Sequence, residues 1–204
     1  GKLTLAGEWL DVVGDVSLSG FSDVFLTAKR DLRVSDYNYS LSKDTVDKAW
    51  YGRLKVPGNL VLTASNIFPE VPEDFAQQFT ELLKGTDDTL IPQVTADFTI
   101  AAAGKITTSN AVADTVRSPV SPGGSLTIEA QGGIEHGGRI EAPLGSIQLS
   151  APGGRVLLAE GSTLSTAGTG NYAYGTVENQ VWFKTAKDGS AEQTEILGAP
   201  EKIV

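Results

Sequence analysis

Hydrophobic residues in this chain alternate with polar or small ones over short runs, and the clearest run is repeated. Gly124-Ser125-Leu126-Thr127-Ile128-Glu129-Ala130 returns 21 residues later as Gly145-Ser146-Ile147-Gln148-Leu149-Ser150-Ala151. A period of two places Leu126, Ile128 and Ala130, and one repeat on Ile147, Leu149 and Ala151, on one face of an extended strand. Thr127, Glu129, Gln148 and Ser150 face the other way. Neither copy can bury its apolar face alone, but stacked copies turn these positions into rows of a continuous core. A repeat of roughly 20 residues built from short strands and Gly-rich corners predicts a solenoid, namely a parallel β-helix.

Looser copies of the strand fill the first third: Leu3/Leu5, Val16/Leu18, Val24/Leu26, Leu32/Val34, Leu54/Val56 and Leu60/Leu62. Corners are expected at Gly14, Gly20, Gly52 and Gly58. Between Ser35 and Trp50 the alternation fails, which predicts a loop leaving the rod. A second departure, about 70–93, carries Pro72, the acids Glu73 and Asp74, then Phe75, Phe79, Leu82 and Leu83 at helical spacing before Gly85. That pattern predicts one short inserted amphipathic helix whose apolar stripe packs on the rod or docks a partner. From Gly124 onward the corners divide each lap into three short faces, with equivalents 22 residues apart at Ile134 and Val156 and 24 apart at Ile140 and Leu164. At ~4.8 Å per strand, roughly seven or eight laps are expected. The domain reading is a β-helix over 1–183 with a tail or linker at 184–204.

Composition narrows the function classes. The 204 residues include 23 Gly but neither Cys nor Met, so a disulfide framework, a Cys zinc site and a thiol nucleophile are excluded. The formal charge of −9, with Lys and Arg scattered, argues against nucleic acid or anionic lipid as a main partner. No segment approaches the ~18 apolar residues of a membrane helix, so no membrane insertion is expected. A chain without Met is expected to be a processed product or a piece of something longer.

Few side chains suggest chemistry. His136, the single histidine, stands between Gly-Gly corners and reads as a solvated turn residue rather than a metal ligand. Glu73-Asp74 and Asp87-Asp88 read as caps and turns rather than paired glycosidase carboxylates. Asp11, Asp15, Asp23 and Asp31 match no calcium-loop spacing. Gly132-Gly133 and Gly153-Gly154 precede no helix and so cradle no phosphate. Tyr172-Ala173-Tyr174-Gly175 with Trp182-Phe183 suits a cap on the last lap, with sugar stacking as the alternative. The expectation is therefore no catalytic, cofactor-binding or metal site. Lys29, Arg30, Asp31 and Arg33 are the one dense cluster that a β-helical polysaccharide lyase or hydrolase would use.

Gly138-Arg139-Ile140-Glu141-Ala142-Pro143-Leu144-Gly145-Ser146-Ile147-Gln148-Leu149, followed by Gly154-Arg155-Val156-Leu157-Leu158-Ala159-Glu160-Gly161-Ser162, resembles the filamentous haemagglutinin-like exoproteins of bacterial two-partner secretion, in particular their C-terminal region. Ala64-Ser65-Asn66-Ile67-Phe68-Pro69, Asp97-Phe98-Thr99-Ile100, Ala28-Lys29-Arg30-Asp31-Leu32-Arg33-Val34 and Pro200-Glu201-Lys202-Ile203 are similar to phrases of the same proteins. The resemblance is loose before residue 52, more specific from 58 to 183, and departs from the family at the inserted helix. It implies a right-handed parallel β-helix, secretion to the bacterial cell surface through a dedicated outer-membrane barrel, and adhesion to a host-cell or bacterial receptor, with a glycan as one candidate. It implies no catalytic motif, and the family's secretion domain is not in this segment. The competing readings are a polysaccharide-degrading enzyme and an interaction module acting through the inserted helix.

Overall fold

The computed structural model describes residues 1–35, 52–70, 96–111, 119 and 122–168, together with the backbone of two strands at 182–185 and 191–194. The chain divides into two compact units, one of Gly1–Val71 with Thr95–Gly170 and the other of Pro72–Val94 with Asn171–Val204. The described part of the first is all-β and contains no helix.

Its chain passes repeatedly through three sheets. The first turn is β1 (Lys2–Gly7), β2 (Leu10–Val13) and β3 (Asp15–Ser17). The second is β4 (Asp23–Ala28), β5 (Asp31–Ser35) and β6 (Gly52–Val56), and the third is β7 (Asn59–Ala64), β8 (Asn66–Pro69) and β9 (Asp97–Ala102). The fourth is β10 (Lys105–Asn110) and β11 (Ser125–Ala130), and the fifth is β12 (Gly133–Gly137), β13 (Arg139–Glu141) and β14 (Ser146–Ser150). The last is β15 (Val156–Leu158) and β16 (Thr163–Ser165). The resulting sheets run β1-β4-β7-β10-β12-β15, β2-β5-β8-β13-β16 and β3-β6-β9-β11-β14. Every pairing within them is parallel. Three all-parallel sheets visited in rotation are compatible with a parallel β-helix.

The 21-residue ladder is a strand register, with Leu126 opposite Ile147 and Ile128 opposite Leu149. The 22- and 24-residue spacings are also registers, Ile134 opposite Val156 and Ile140 opposite Leu164. Rows of inward residues follow. One row of the first sheet is Leu3, Val24, Leu60, Ile106, Ile134 and Val156. One row of the third is Val16, Leu54, Ile100, Ile128 and Leu149. The members between the ends are almost fully buried, which is where the hydrophobic stabilisation of the coil resides.

Three expectations change. Among the described residues the longest sheet has six strands, against the seven or eight laps expected of the chain, so this stack is roughly 24 Å long at ~4.8 Å per step. The turns are unequal in length, since the equivalents Leu60 and Ile106 are paired although 46 residues apart. Gly52 is no corner but the first residue of β6, opposite Phe98. Ser35 belongs to β5 and is buried, its Oγ donating to the Glu70 carbonyl at 2.6 Å, so the departure begins after it. The rest of that loop, and the expected helix beyond Glu70, lie outside the described residues.

Turn four contributes no strand to the second sheet among the described residues, and β13 pairs directly with β8 through Ile140 and Ile67. Gly14 and Gly20 do form corners, both with positive φ. In the second unit the described backbone is an antiparallel pair, β17 (Trp182–Thr185) and β18 (Ala191–Thr194).

Candidate functional site

Parallel stacking places residues one lap apart side by side, so outward positions become columns. On the second sheet such a column begins at Trp9, which is partly exposed in the bend between β1 and β2. Twenty-two residues separate Glu8 from Arg30, and Arg30 Nε donates to Glu8 Oε1 at 3.0 Å. The same separation puts Asp11 opposite Arg33. Arg33 grips both Asp11 oxygens, through Nε at 2.6 Å and Nη2 at 2.8 Å, while its Nη1 reaches Glu70 Oε2 at 3.3 Å on the third turn. The hydrogen bonds to Asp11, followed by the charges of Asp11 and Glu70, raise the Arg33 pKa above its ordinary value. Both guanidinium groups lie over the Trp9 ring, at 5.1 Å and 5.6 Å from its centroid.

Chemically this is a clasp. Lys29, Arg30 and Arg33 are matched by Glu8, Asp11 and Glu70, and Arg33 directs all of its described donors to the carboxylates. Exposed pairs of this kind contribute only ~0.2–1 kcal/mol each. Their value here is registration of three successive laps. Asp31, the remaining member of the dense cluster, is buried and stands opposite Asn66 rather than beside the two arginines' outward groups. The four residues that an enzymatic groove would use are therefore not gathered at one point.

Asp11, Asp15, Asp23 and Asp31 sit on β2, β3, β4 and β5 and are spread over all three sheets. No group of three or more potential metal ligands occurs among the described residues. Asp23 accepts from Asn59 Nδ2 and from Ser22 Oγ, and those two hydrogen bonds hold its carboxyl below the usual range. Asn59 Oδ1 in turn accepts from the Lys105 amide at 3.0 Å, so one amide side chain stitches three laps at a corner. Glu135 is likewise held low by its ion pair with Lys105.

His136 overturns its expectation. It is not a solvated turn residue but an inward member of β12, with no exposed surface. Its row runs Leu5, Leu26, Leu62, Thr108, His136 and Leu158. Nε2 lies 3.1 Å from the Thr163 carbonyl, which can only accept, so Nε2 carries the proton and Nδ1 accepts from Thr108 Oγ1 at 2.6 Å. Burial lowers the imidazole pKa and the Thr163 contact partly opposes it. The side chain is a neutral interior strut joining turns four, five and six.

Glu73-Asp74, Asp87-Asp88 and Tyr172–Gly175 lie outside the described residues. Trp182 and Phe183 fall on β17, where only the backbone is described. Sequence reasoning passed over Trp9, Glu8 and Glu70, and weighed Asp11 only as a calcium ligand. The signal was nevertheless present, since opposite charges recur at the lap spacing in Glu8/Arg30 and Asp11/Arg33. No helix among the described residues is long and apolar enough to cross a membrane. Comparison of the chain with protein-family models, with curated proteins and with solved structures gives no match.

Proposed function

We propose that this chain is a right-handed parallel β-helix serving as a non-enzymatic extending and displaying segment of a large secreted protein of the bacterial surface. The observation that carries this reading is the lap-to-lap use of charge: Lys29, Arg30 and Arg33 of the dense cluster pair with Glu8, Asp11 and Glu70 of neighbouring laps. Right-handed crossovers between parallel strands are the strong default, which supports the handedness. The resemblance of residues 138–162 to filamentous haemagglutinin-like exoproteins supports export through an outer-membrane barrel and a role in contact with host or bacterial cells. In that role the stacked laps supply reach, and the segments that leave them after β5 and β8 supply the surface that meets a receptor or glycan.

The test is incubation of the purified chain with a glycan array, with host and bacterial cells, and with acidic and neutral polysaccharides. Retention on a cell or glycan surface without cleavage is expected. Polysaccharide cleavage that disappears in Arg33→Ala would replace this reading with the lyase or hydrolase, for which an arginine in a groove would be required.

A further inference from the structure

The outer face of the first sheet carries a hollow that the clasp at Trp9 does not use. Lys105 of β10 pairs with Gly133 of β12, and Arg155, one residue before β15, stands on the far side of Gly133 because Ile134 pairs with Val156. Two cations therefore flank an outward position that has no side chain. The gap between them is a hollow of about 170 Å³ whose lining includes Lys105, Gly133, Glu135, Arg155 and Leu157. It lies over β12 with a strand on each side, so it belongs to the body of the stack and not to an end. The backbone keeps it clear: Gly133 has φ +114°, a conformation that side chains rarely adopt.

The charges around the hollow do not cancel. Lys105 Nζ is paired with Glu135 Oε2, whereas the Arg155 guanidinium enters no ion pair or hydrogen bond among the described residues, unlike Arg30, Arg33 and Arg139. One carboxylate thus faces two cations. The hydrogen bond and charge of Lys105 lead the lowering of the Glu135 pKa, and the charge of Arg155 adds to it, so both cations act on this one spot. A single added anion would bring the group to neutrality. Leu157, opposite Glu135 in register, supplies an aliphatic wall. Since a cavity of ~150 Å³ admits a benzene ring, the hollow has room for one ring-sized body and not for an extended ligand.

We propose that the hollow over Gly133 binds the carboxylate of a small organic acid, held from opposite sides by Arg155 and Lys105 while Leu157 covers the acid's apolar body. Arginine can grip such a carboxylate with two parallel hydrogen bonds. Glu135 is the built-in competitor, because it occupies Lys105 in the free protein and shares it when the ligand enters. The site is independent of the surface role proposed above.

The test is titration of the full chain with sodium benzoate at constant ionic strength, followed by amide and arginine side-chain shifts in nitrogen–proton correlation spectra. Saturable shifts confined to Gly132, Gly133, Glu135, Arg155 and Leu157 are expected by about 50 mM, the range over which a site of millimolar affinity fills. Benzyl alcohol, the same ring without the charge, is expected to leave them in place. Arg155→Gln should weaken binding about tenfold, as expected for the loss of one charged hydrogen-bonded contact. Glu135→Gln should tighten it severalfold, because the competing carboxylate is gone and Lys105 is released. Both side chains reach the surface, and circular dichroism verifies that the variants fold. Arg53→Gln, which removes an exposed arginine from β6 on the third sheet, should leave binding unchanged. Absence of saturable shifts, equal binding of benzyl alcohol, or an Arg155→Gln variant that binds like the parent overturns the proposal. So does weaker binding in Glu135→Gln, since Glu135 would then shape the hollow instead of competing for it.

Discussion

At the residue scale the instructive position is His136. Four members of its row are leucines, and the two that are not, Thr108 and His136, are neighbours that satisfy one another. A lone polar side chain there would carry an unpaid desolvation cost, whereas the pair with Thr163 beyond it is fully bonded. The arrangement makes stability depend on pH. An unfolded imidazole takes up its proton near pH 6.5, whereas the folded one does so at lower pH because burial disfavours the charge. Between those values the unfolded chain holds more protons, so stability is full above about pH 6.5 and declines as the pH falls through the window. A lower thermal midpoint is expected at about pH 5.5 than at about pH 7.5, and the double variant Thr108→Val/His136→Leu should flatten that difference. Equal pH dependence in the double variant would move the effect to another group. Glu135 and Asp23, whose carboxyls are held low, stay ionised at both pH values of that comparison. The interior place of His136 was legible from its phase, because 134 and 136 share a face. It was obscured by the flanking glycines, which read as corners although Gly133 and Gly137 both lie within β12.

At the scale of the element, strand register decides which substitutions matter. Ile128 is fully buried in the middle of its row, so Ile128→Ala is expected to cost ~2–5 kcal/mol in a denaturant titration. Leu149 occupies the same row but is only partly buried on the last strand of the third sheet, and Leu149→Ala should cost less. Thr127→Ala, facing outward, should fall within about 0.5 kcal/mol of the parent. A Thr127 variant as damaging as Ile128→Ala would mean that the inward and outward faces had been exchanged. Corners add a second constraint. A Cβ on Gly145 would lie 1.7 Å from the Gly124 carbonyl oxygen, which is backbone and cannot turn aside. Gly145→Ala should therefore destabilise by at least the ~1–3 kcal/mol of overpacking. Gly124 and Gly145 are the same position one lap apart, so the repeat of glycine in the ladder records the approach of two corners as much as a need for flexibility. The strands, their faces and the three-sided lap were legible because period-two alternation and lap spacing are local signals. The clasp around Trp9 was less so, because it needs opposite charges to be compared across a lap rather than along a strand.

At the scale of the whole coil, interruptions are absorbed without loss of register. Leu32 meets Ile67 across 35 residues and Ile67 meets Ile140 across 73, yet both pairs belong to one row. No count of residues per lap could have foreseen this, since the rule conserved from turn to turn is the apolar row and not the length of chain between its members. Loop-closure entropy rises only slowly with length, so a long departure weakens the stack little provided its two ends return to the same rail. The chain between β5 and β6 can therefore be shortened. In turn five the equivalent connection, from β13 to β14, is made by Ala142-Pro143-Leu144-Gly145 alone, with Gly145 N donating to the Ala142 carbonyl at 3.0 Å. Replacing residues 36–51 with that tetrapeptide should leave the β-type circular dichroism spectrum and a single cooperative melt, because β5 and β6 keep their partners on β8 and β9. The sensitive point is Phe68, which faces away from the row containing Ile67 and is nonetheless fully buried. If the shortened chain melts with the parent's cooperativity and hydrogen exchange on β8 is unchanged, residues 36–51 are dispensable to the coil and available for display. Loss of cooperative melting together with faster exchange on β8 would instead make that segment part of what holds the second sheet closed, and the division between scaffold and displayed surface would have to be redrawn there.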